Sequence, residues 1–437
     1  MRILTVSNLY PPAYVGGYEL MCREVMEKLS MLEHEVRVLT SNVRLEDVNP
    51  SAAAGQSQQC DCSEVMRLLR VEQPFGTIRK TTPVNLLERI KSASLNKRIL
   101  EEAVESFSPD IIFFWSLLNI SRSVILQARE MDIPTAFYIS DPLQFDPDSL
   151  CRTLNNQYSS LILKPARRVI TRALVKRRLV VLPQDAPISN VIYSCKAVLE
   201  EGRRRGIGQF GAVVVPHGVN MRDFTGTPER RWYDGSRPLR IMYASRIAFH
   251  KGMETLILAM KMLSSPGGPQ VEALIYNTGD PGYVTHVKRL IHENNLDRVF
   301  AFRGMVDTSK LPTEMGNADV FVLPSIPHAG WFESWSVVLA QAGAAGMAAV
   351  ASRSGANAEL ITEGETGLLF NPDDAEGLAS CIRALAADPQ TVRRMGEALA
   401  VLVRERYTLE KMASQIERHL CRVIEQRVSG NAGGGAE

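Results

Sequence analysis

The stretch from Leu323 to Phe370 constrains the fold most, because apolar runs and loops alternate along it in the order strand, loop, helix, strand. An apolar run ends at Pro324, a loop leads to Glu333, a helical run carries Gln341, and a strand of small residues begins at Ala348. In open α/β sheets, ligands bind outside the carboxyl ends of parallel strands. The stretch therefore predicts an α/β domain with a ligand crevice near Glu333.

Two polar side chains give this crevice its chemistry. Glu333 comes before a helix whose first amides lack intrahelical partners, so a carboxylate and loop amides face one cavity that can hold a polyhydroxylated ligand. Gln341 is predicted two helical turns further on, near the same face. A Gly/Ala-rich packing helix with two incidental polar residues is the alternative, which this segment alone leaves open.

The size and charge of the chain limit its organisation and its partners. A chain of 437 residues is too long for one ordinary core and favours two domains. The formal net charge of +2 favours no nucleic-acid partner. The 7 cysteines are an odd number and mostly isolated, which indicates reduced thiols, and Cys60 and Cys62 lack a second pair at zinc spacing.

The apolar runs of the sequence are short. The first, Arg2 to Ser7, is only as long as a strand and leads at once into a loop with Pro and Gly, which does not indicate a signal peptide. The longest, Ile111 to Leu118, is shorter than the roughly 18 residues of a membrane span. We therefore expect a cytoplasmic protein.

A basic helical pattern covers residues 164–178, with apolar residues between its cations. Basic amphipathic helices can lie on anionic membranes, so this helix is the candidate for peripheral contact with the inner face of the membrane. The solvated face of an ordinary helix is the alternative, and the residues leave it open.

Paired glycines, Gly16 and Gly17, lie between the first predicted strand and the first predicted helix. Glycine lets the backbone approach a ligand closely, and Glu19 lies in the first turn of the helix. By itself, the pair is equally consistent with a plain tight turn.

Two cations, Arg246 and Lys251, lie five residues apart between a predicted strand, Leu239–Ala244, and a predicted helix, Met253–Leu263. An arginine binds phosphate with two parallel hydrogen bonds, a lysine acts as a point charge, and helix amides lie between them. With Gly252 and the flanking strand, this pattern predicts a diphosphate clamp. Two unrelated surface cations are the alternative.

The segment around Glu333 resembles the donor-sugar motif of family-4 glycosyltransferases, in which a Glu is followed by seven residues and a second Glu. Glu333 matches the first position, whereas Gln341 stands where the second Glu is expected. Other residues that fall where the family places similar ones are Pro324, Ser325, Gly346, Ser354, Gly355, Glu359, Gly364 and Gly367. The resemblance implies retaining enzymes of the GT-B fold, in which two Rossmann-like domains with parallel sheets face an interdomain cleft.

The resemblance also implies roles for single residues. Glu333 would contact the transferred sugar and Gln341 the ribose hydroxyls of the nucleotide. The family has a similar Arg and Lys-Gly pair, which makes Arg246, Lys251 and Glu333 the candidate catalytic residues. The other donor-binding positions that the resemblance implies are Gly16, Gly17, Gly304, Ser334, Trp335 and Ser336.

On the acceptor side, the family has a Gly-Gly-x-Glu loop, which implies that Glu19 lies near the cleft. The family often has His-Asp where this chain has Ser140 and Asp141. A hydroxyl can bond a sugar, but it cannot act as a base near neutral pH. His217 corresponds to a family turn near the cleft, and a purely structural turn is the alternative.

The predicted domains follow from these patterns. Residues 1–224 form an acceptor-side domain, 225–238 a polar linker with Gly and Pro, and 239–405 the nucleotide-sugar domain. A last helix over 406–428 is expected to cross back to the first domain, as in GT-B enzymes. Residues 429–437 have the composition of a disordered tail.

The resemblance thus implies a retaining hexosyltransferase that moves a sugar from a nucleoside-diphosphate sugar to a glycan or lipid-linked acceptor, in cell-surface polysaccharide or glycoconjugate biosynthesis. No cofactor and no metal are expected, because the cationic clamp would replace a divalent ion and no Asp-x-Asp motif lies near the cleft strands. Asp146-Pro-Asp148 is interpreted as a turn.

Two other functions stay open at this point. A non-catalytic nucleotide-sugar-binding relative is suggested by Gln341 and Ser140, and turnover would distinguish it from an enzyme. A membrane-surface scaffold built on the basic helix at 164–178 is the third, which liposome flotation would test.

Overall fold

The computed structural model divides into two compact units. The first comprises Met1–Ser194, Val198–Val215 and Ala413–Glu437, and the second comprises Cys195–Ala197 and Pro216–Met412. The structure describes residues 1–48, 64–72, 83–140, 173, 175, 176, 188–208, 211–225, 230–276 and 279–433. The basic helix at 164–178 therefore lies almost wholly outside the described residues, as do Asp141 and the Asp146-Pro-Asp148 turn.

The described strands of the first unit form one parallel sheet in the order β3-β2-β1-β4-β5-β6-β7. They are β1 (Arg2–Ser7), β2 (Glu35–Ser41), β3 (Glu64–Leu69), β4 (Ile111–Ser116), β5 (Thr135–Ile139), β6 (Val191–Tyr193) and β7 (Val213–Val214). The described helices up to this point are α1 (Gly17–Met31), α2 (Leu45–Val48), α3 (Pro83–Phe107), α4 (Ser123–Glu130) and α5 (Lys196–Arg204). Strand β3 has no counterpart in the sequence prediction.

Continuous apolar runs form the central strands of this sheet. All six residues of β4 are buried, as expected for a parallel strand covered on both faces. Ile3 in β1 lies opposite Val36 in β2 on one side and Ile111 in β4 on the other. Helix α1 buries one stripe of its surface through Met21, Cys22, Val25, Met26 and Leu29.

The second unit contains a parallel sheet in the order β10-β9-β8-β11-β12-β13. Its strands are β8 (Leu239–Tyr243), β9 (Val271–Tyr276), β10 (Phe300–Gly304), β11 (Val320–Leu323), β12 (Ala348–Ser352) and β13 (Gly367–Phe370). The helices from here to the C-terminus are α6 (Met253–Leu263), α7 (Pro281–Glu293), α8 (Leu311–Gly316), α9 (Val337–Ala344), α10 (Asn357–Leu360), α11 (Ala375–Ala387), α12 (Pro389–Arg406) and α13 (Leu409–Gly433). Short 3-10 helices cover Met221–Phe224 and Phe249–Lys251.

The strand order of the second unit reverses between β8 and β11. From β8 the chain adds β9 and β10 on one side, and it then crosses to place β11, β12 and β13 on the other. Such a reversal leaves a crevice outside the carboxyl ends of the two strands, where ligands bind in α/β proteins. The first unit repeats the pattern, with its reversal between β1 and β4.

The last helix, α13, continues five residues further than predicted. It runs from Leu409 to Gly433, so residues 429–433 are helical and the predicted disordered tail is corrected to that extent. Adding a residue to an existing helix avoids the cost of nucleation, which a composition argument does not consider. From Ala413 the helix belongs to the first unit, where Glu417 contacts His34 at 2.8 Å.

The predicted linker 225–238 is largely part of the second unit. Pro216 already begins that unit, earlier than the predicted boundary at 224. The Arg230 guanidinium donates to the carbonyl oxygens of Met315, Ala318 and Ala345 at 2.6 to 3.0 Å. These carbonyls lie 85 or more residues away, so composition alone indicated a loop where tertiary contacts form a packed segment.

Among the described residues, no helix is both long and apolar enough to cross a bilayer.

Candidate functional site

A buried ion pair lies at the reversal point of the second sheet. The Lys251 ammonium contacts Oε2 of Glu333 at 2.8 Å, and the two side chains are only 17% and 7% exposed. The same carboxylate oxygen accepts a hydrogen bond from the Ser325 hydroxyl at 2.7 Å. Both contacts fall on Oε2, and no described residue donates to Oε1, which leaves that oxygen for another donor.

Close backbone packing places Lys251 beside Glu333. Lys251 ends the 3-10 helix after β8, and Gly252 follows with φ 71° before α6 begins. A Cβ at Gly252 would overlap the carbonyl oxygen of Pro324 at the end of β11. The Ile326 amide then donates to the carbonyl of His250 at 2.8 Å, which joins the two loops.

The loop after β12 holds the backbone of Glu333. The Glu333 amide donates to Oγ of Ser354 at 3.3 Å, and its carbonyl accepts from the Ala356 amide at 2.8 Å. Gly355 has φ 52°, and a Cβ there would overlap the Glu333 carbonyl oxygen. The Ser-Gly pair that the sequence analysis singled out therefore supports Glu333 directly.

Two cations surround His250. Burial first, and then the charges of Lys251 and Arg246, lower the pKa of His250 to about 4, so its imidazole is neutral near pH 7. Arg246 itself is exposed at the surface of the second unit. The backbone of both cations is fixed by Tyr243, whose hydroxyl donates to the carbonyl oxygens of Arg246 at 3.3 Å and Lys251 at 3.4 Å.

The helix after Glu333 begins later than the sequence analysis expected. Helix α9 starts at Val337, with Ser336 as its N-cap accepting from the Leu339 amide at 3.2 Å. Gln341 is therefore in the second turn of α9, rather than two helical turns into a helix that begins directly after Glu333, and it is half-buried. The loop after Glu333 is longer than expected because the N-cap at Ser336, and not the apolar pattern, sets the start of the helix.

Two other predicted donor residues lie near this loop. Trp335 is 6% exposed, its ring lies 5.1 Å from that of Tyr407, and its Nε1 has no hydrogen-bond partner among the described residues. Ser334 is half-buried between Glu333 and Trp335. Gly304 ends the edge strand β10 with φ 73°, exposed and with open space around it.

In the first unit, Gly16 and Gly17 are exposed at the start of α1. The Glu19 carboxylate turns back and accepts from the Gly16 amide at 3.0 Å, and burial raises its pKa. Glu19 thus caps its own helix. A Cβ at Gly16 would meet nothing within 4 Å.

Ser140 follows β5 directly and is 6% exposed, while its neighbour Asp141 lies outside the described residues.

His217 belongs to the second unit, is 3% exposed, and burial lowers its pKa to about 3. Its neighbour Gly218 packs so closely on Thr408 and Leu409 that a Cβ would overlap their backbone. The structure thus gives this turn a packing role within the second unit.

Some members of the site were not assigned a role from the sequence. Ser325 and Ser354 were noted as motif positions, but their hydrogen bonds to Glu333 require the folded loops. Glu359, another motif position, accepts from the amides of Lys196 and Ala197 at 3.1 Å each. His250 and Trp331 gave no signal, because nothing in their spacing shows that their rings meet at 4.4 Å.

Acidic, histidine and cysteine side chains do not cluster in threes within the described ranges in a way that could hold a metal ion. This finding does not test the predicted metal independence of the reaction, which stays a prediction.

Part of the chain matches the model of a known family. Residues 233–400 match the model of the family described as glycosyl transferases group 1. This range contains Arg246, Lys251, Glu333 and Gln341, and the match confirms the resemblance that the motifs indicated.

Two relatives illustrate the extent of similarity. A phosphatidyl-myo-inositol mannosyltransferase of Mycolicibacterium smegmatis is 31% identical over 228 residues, which cover 51% of this chain and 55% of that protein. A glycogen synthase of Mycobacterium tuberculosis is 24% identical over 418 residues, which cover 91% of this chain and 89% of that protein. The chain therefore matches about half the length of the mannosyltransferase and most of the glycogen synthase.

Solved structures resemble nearly the whole chain. Sucrose-phosphate synthase of Thermosynechococcus elongatus superposes with a TM-score of 0.66 at 19% identity, over 97% of this chain and 99% of that chain. Anabaena HepE, in complex with UDP and glucose, gives a TM-score of 0.63 at 18% identity, over 96% and 99%. At these identities the likeness shows the fold alone, and it confirms the GT-B prediction of two α/β units with parallel sheets.

Proposed function

From the premise that the second unit of this chain is a group 1 glycosyltransferase domain of the family-4 type, we propose that the protein transfers a hexosyl group from a nucleoside-diphosphate sugar with retention of configuration. The observation that carries this proposal is the buried Lys251–Glu333 pair at the reversal point between β8 and β11. A cation and a carboxylate held side by side suit a ligand that has a phosphate next to a sugar.

The diphosphate is assigned to the cationic side of the site. When the bond between the sugar C1 and the phosphate oxygen breaks, negative charge develops on the diphosphate, and Lys251 and Arg246 would stabilise it. His250 is neutral near pH 7, so the positive charge on this side of the site belongs to Lys251 and Arg246. This arrangement supports a mechanism without a divalent metal ion.

The sugar is assigned to Glu333. Oε2 is already engaged by Lys251 and Ser325, so Oε1 would accept a hydrogen bond from a sugar hydroxyl. The acceptor hydroxyl would attack C1 from the face that the diphosphate leaves, and its proton would pass to the departing phosphate oxygen. No side chain of this chain is assigned as a covalent nucleophile.

The nature of the donor and acceptor rests on the relatives. One is named for mannosyl transfer to phosphatidyl-myo-inositol, another for glycogen synthesis, and HepE was solved with UDP and glucose. We therefore assign a hexose donor and a glycan or lipid-linked acceptor, in the building of cell-surface polysaccharide or glycoconjugate. The first unit would supply the acceptor side through Glu19 and Ser140.

A screen of nucleotide sugars tests the proposal. Purified protein is expected to act on one of the donors UDP-glucose, GDP-mannose, UDP-galactose or UDP-N-acetylglucosamine, either by slow hydrolysis or by sugar transfer. The rate is expected to be the same with and without EDTA. The release of UDP or GDP is measured with and without the chelator. No release from any donor would contradict the enzymatic function, and loss in EDTA with recovery in manganese would overturn metal independence alone.

Gln341 offers a second test. A carboxylate could accept from both ribose hydroxyls, whereas an amide offers one acceptor and one donor group. Charge-assisted hydrogen bonds are roughly twice as strong as neutral ones, so Gln341→Glu is expected to tighten nucleoside-diphosphate binding several-fold, by about 1 kcal/mol. Preference among sugars should not change, because it is assigned to Glu333.

Calorimetry with UDP and GDP measures this effect, and Gln390→Glu, at the exposed start of α12, is a matched control for the added charge. Weaker binding by Gln341→Glu would remove Gln341 from the ribose site. Together with an absence of turnover, it would favour the non-catalytic relative that Gln341 suggested.

A further inference from the structure

An aromatic side chain that no motif includes lies against the Lys251 ammonium. The ring centroid of Trp331 is 4.6 Å from Nζ of Lys251. The Trp331 ring also lies 4.4 Å from the His250 ring, at an interplanar angle of 60°. A cation this close to the face of an indole is attracted by the negative electrostatic potential of the ring.

A tight two-residue turn holds Trp331 in this position. The amide of Trp331 donates to the carbonyl of His328 at 2.8 Å, and the amide of His328 donates back at 3.0 Å. Between them, Ala329 and Gly330 both have positive φ, 48° and 82°. Alanine rarely adopts this conformation, so the turn is a specific feature and not a default loop.

The contacts of the Lys251 ammonium determine which of its N–H donors can still bind a ligand. An ammonium has three N–H donors, and Glu333 uses one of them. A cation–π contact attracts the charge to the face of the ring and adds no anionic group that would compete with a phosphate. A second carboxylate in place of the indole would instead take a donor and repel a phosphate.

We propose that Trp331 is a positioning residue, which holds the Lys251 ammonium beside Glu333 while leaving its remaining donors for the diphosphate of the donor sugar. This inference rests on the proposed function. Trp331 acts through Lys251 and makes no required contact with the reacting atoms. The neutral imidazole of His250 packs against the ring and adds no positive charge to the site near pH 7.

The experiment measures binding of UDP and GDP by calorimetry in three variants. Trp331→Leu removes the aromatic face but keeps apolar bulk, and it is expected to weaken binding about five- to tenfold. Trp331→Phe keeps a smaller face and should lose only about two- to threefold. Phe249→Leu is the matched control, because that ring is 49% exposed and packs on His328 instead of Lys251, so its binding should stay unchanged.

A double-mutant cycle separates positioning from a general structural role. In a Lys251→Met background, Trp331→Leu should change the affinity by less than about twofold, because the group through which Trp331 acts is gone. A full loss in that background, or equal affinity of Trp331→Leu and wild type, would overturn the inference. If the Leu variant does not fold, equal binding by Trp331→Phe and wild type overturns it.

The outcomes also distinguish this inference from the function beneath it. If wild-type protein binds neither nucleotide, the proposed function fails and this inference fails with it. If wild-type protein binds and Arg246→Ala weakens binding while the Trp331 variants do not, the function stands and only the role of Trp331 is lost.

Discussion

Replacing Lys251 with methionine is expected to weaken nucleoside-diphosphate binding about ten- to a hundredfold and also to destabilise the second unit. A lost hydrogen bond between charged groups costs about 1.5 to 3 kcal/mol, which is that range of affinity. The stability loss, about 3 kcal/mol, arises because Glu333 stays buried while its counter-charge is removed.

Arg246→Ala is the companion variant that separates the two effects. Arg246 is exposed and has no ion pair within the part of the chain that the structure describes, so its removal should leave the melting temperature unchanged. It should still weaken nucleotide binding about ten- to a hundredfold.

Calorimetry gives the affinities and thermal unfolding gives the stabilities, with Lys261→Ala, an exposed cation at the far end of α6, as the control. Unchanged affinity and turnover in Arg246→Ala would refute the diphosphate clamp. Unchanged stability in Lys251→Met would show that the ion pair does not contribute to the fold.

Gly252→Ala is expected to be among the most destabilising single substitutions in the second unit, at about 3 kcal/mol or more. Gly252 has φ 71°, and the Cβ of an alanine there would overlap the Pro324 carbonyl oxygen. Since Gly252 adjoins Lys251, the shift that relieves this overlap would also move the ammonium away from Glu333, so nucleotide binding should fall as well.

Gly267→Ala is the matched control. Gly267 has φ 82° but open space around it, so alanine there meets only the backbone strain, about 1 to 2 kcal/mol. The difference between the two variants in thermal or urea unfolding isolates the contact with Pro324. Equal destabilisation by both would show that the close approach of β11 to the Lys251 turn contributes nothing.

The apolar patterns were sufficient to predict most of the local structure. Arg2–Ser7 and Met253–Leu263 form the elements expected of them, because a continuous apolar run becomes a buried parallel strand and a 3.6-residue stripe becomes a helix. The motifs at Lys251 and Glu333 were also readable, since they follow the strands that adjoin at the reversal of the sheet.

The sequence did not predict elements whose apolar pattern is weak or whose contact partners lie far along the chain. Among the described strands, β3 pairs with β2 alone, and it is mostly half-buried, so its apolar signal is diluted. The start of α9 depends on the Ser336 cap, and the packed segment around Arg230 depends on carbonyls far along the chain. Propensity and composition carry no information about such partners.

The sequence by itself determined the α/β class, the buried strands that its apolar runs form, and the charged residues, Lys251 and Glu333, that follow two of these strands. Only the tertiary structure decided that Lys251 and Glu333 form a buried pair, that Ser325 and Ser354 hold Glu333, and that Trp331 covers the ammonium. The physical reason is that element type follows from periodicity along the chain, whereas these contacts join loops from different strand ends, whose separation is set by sheet order and close backbone packing.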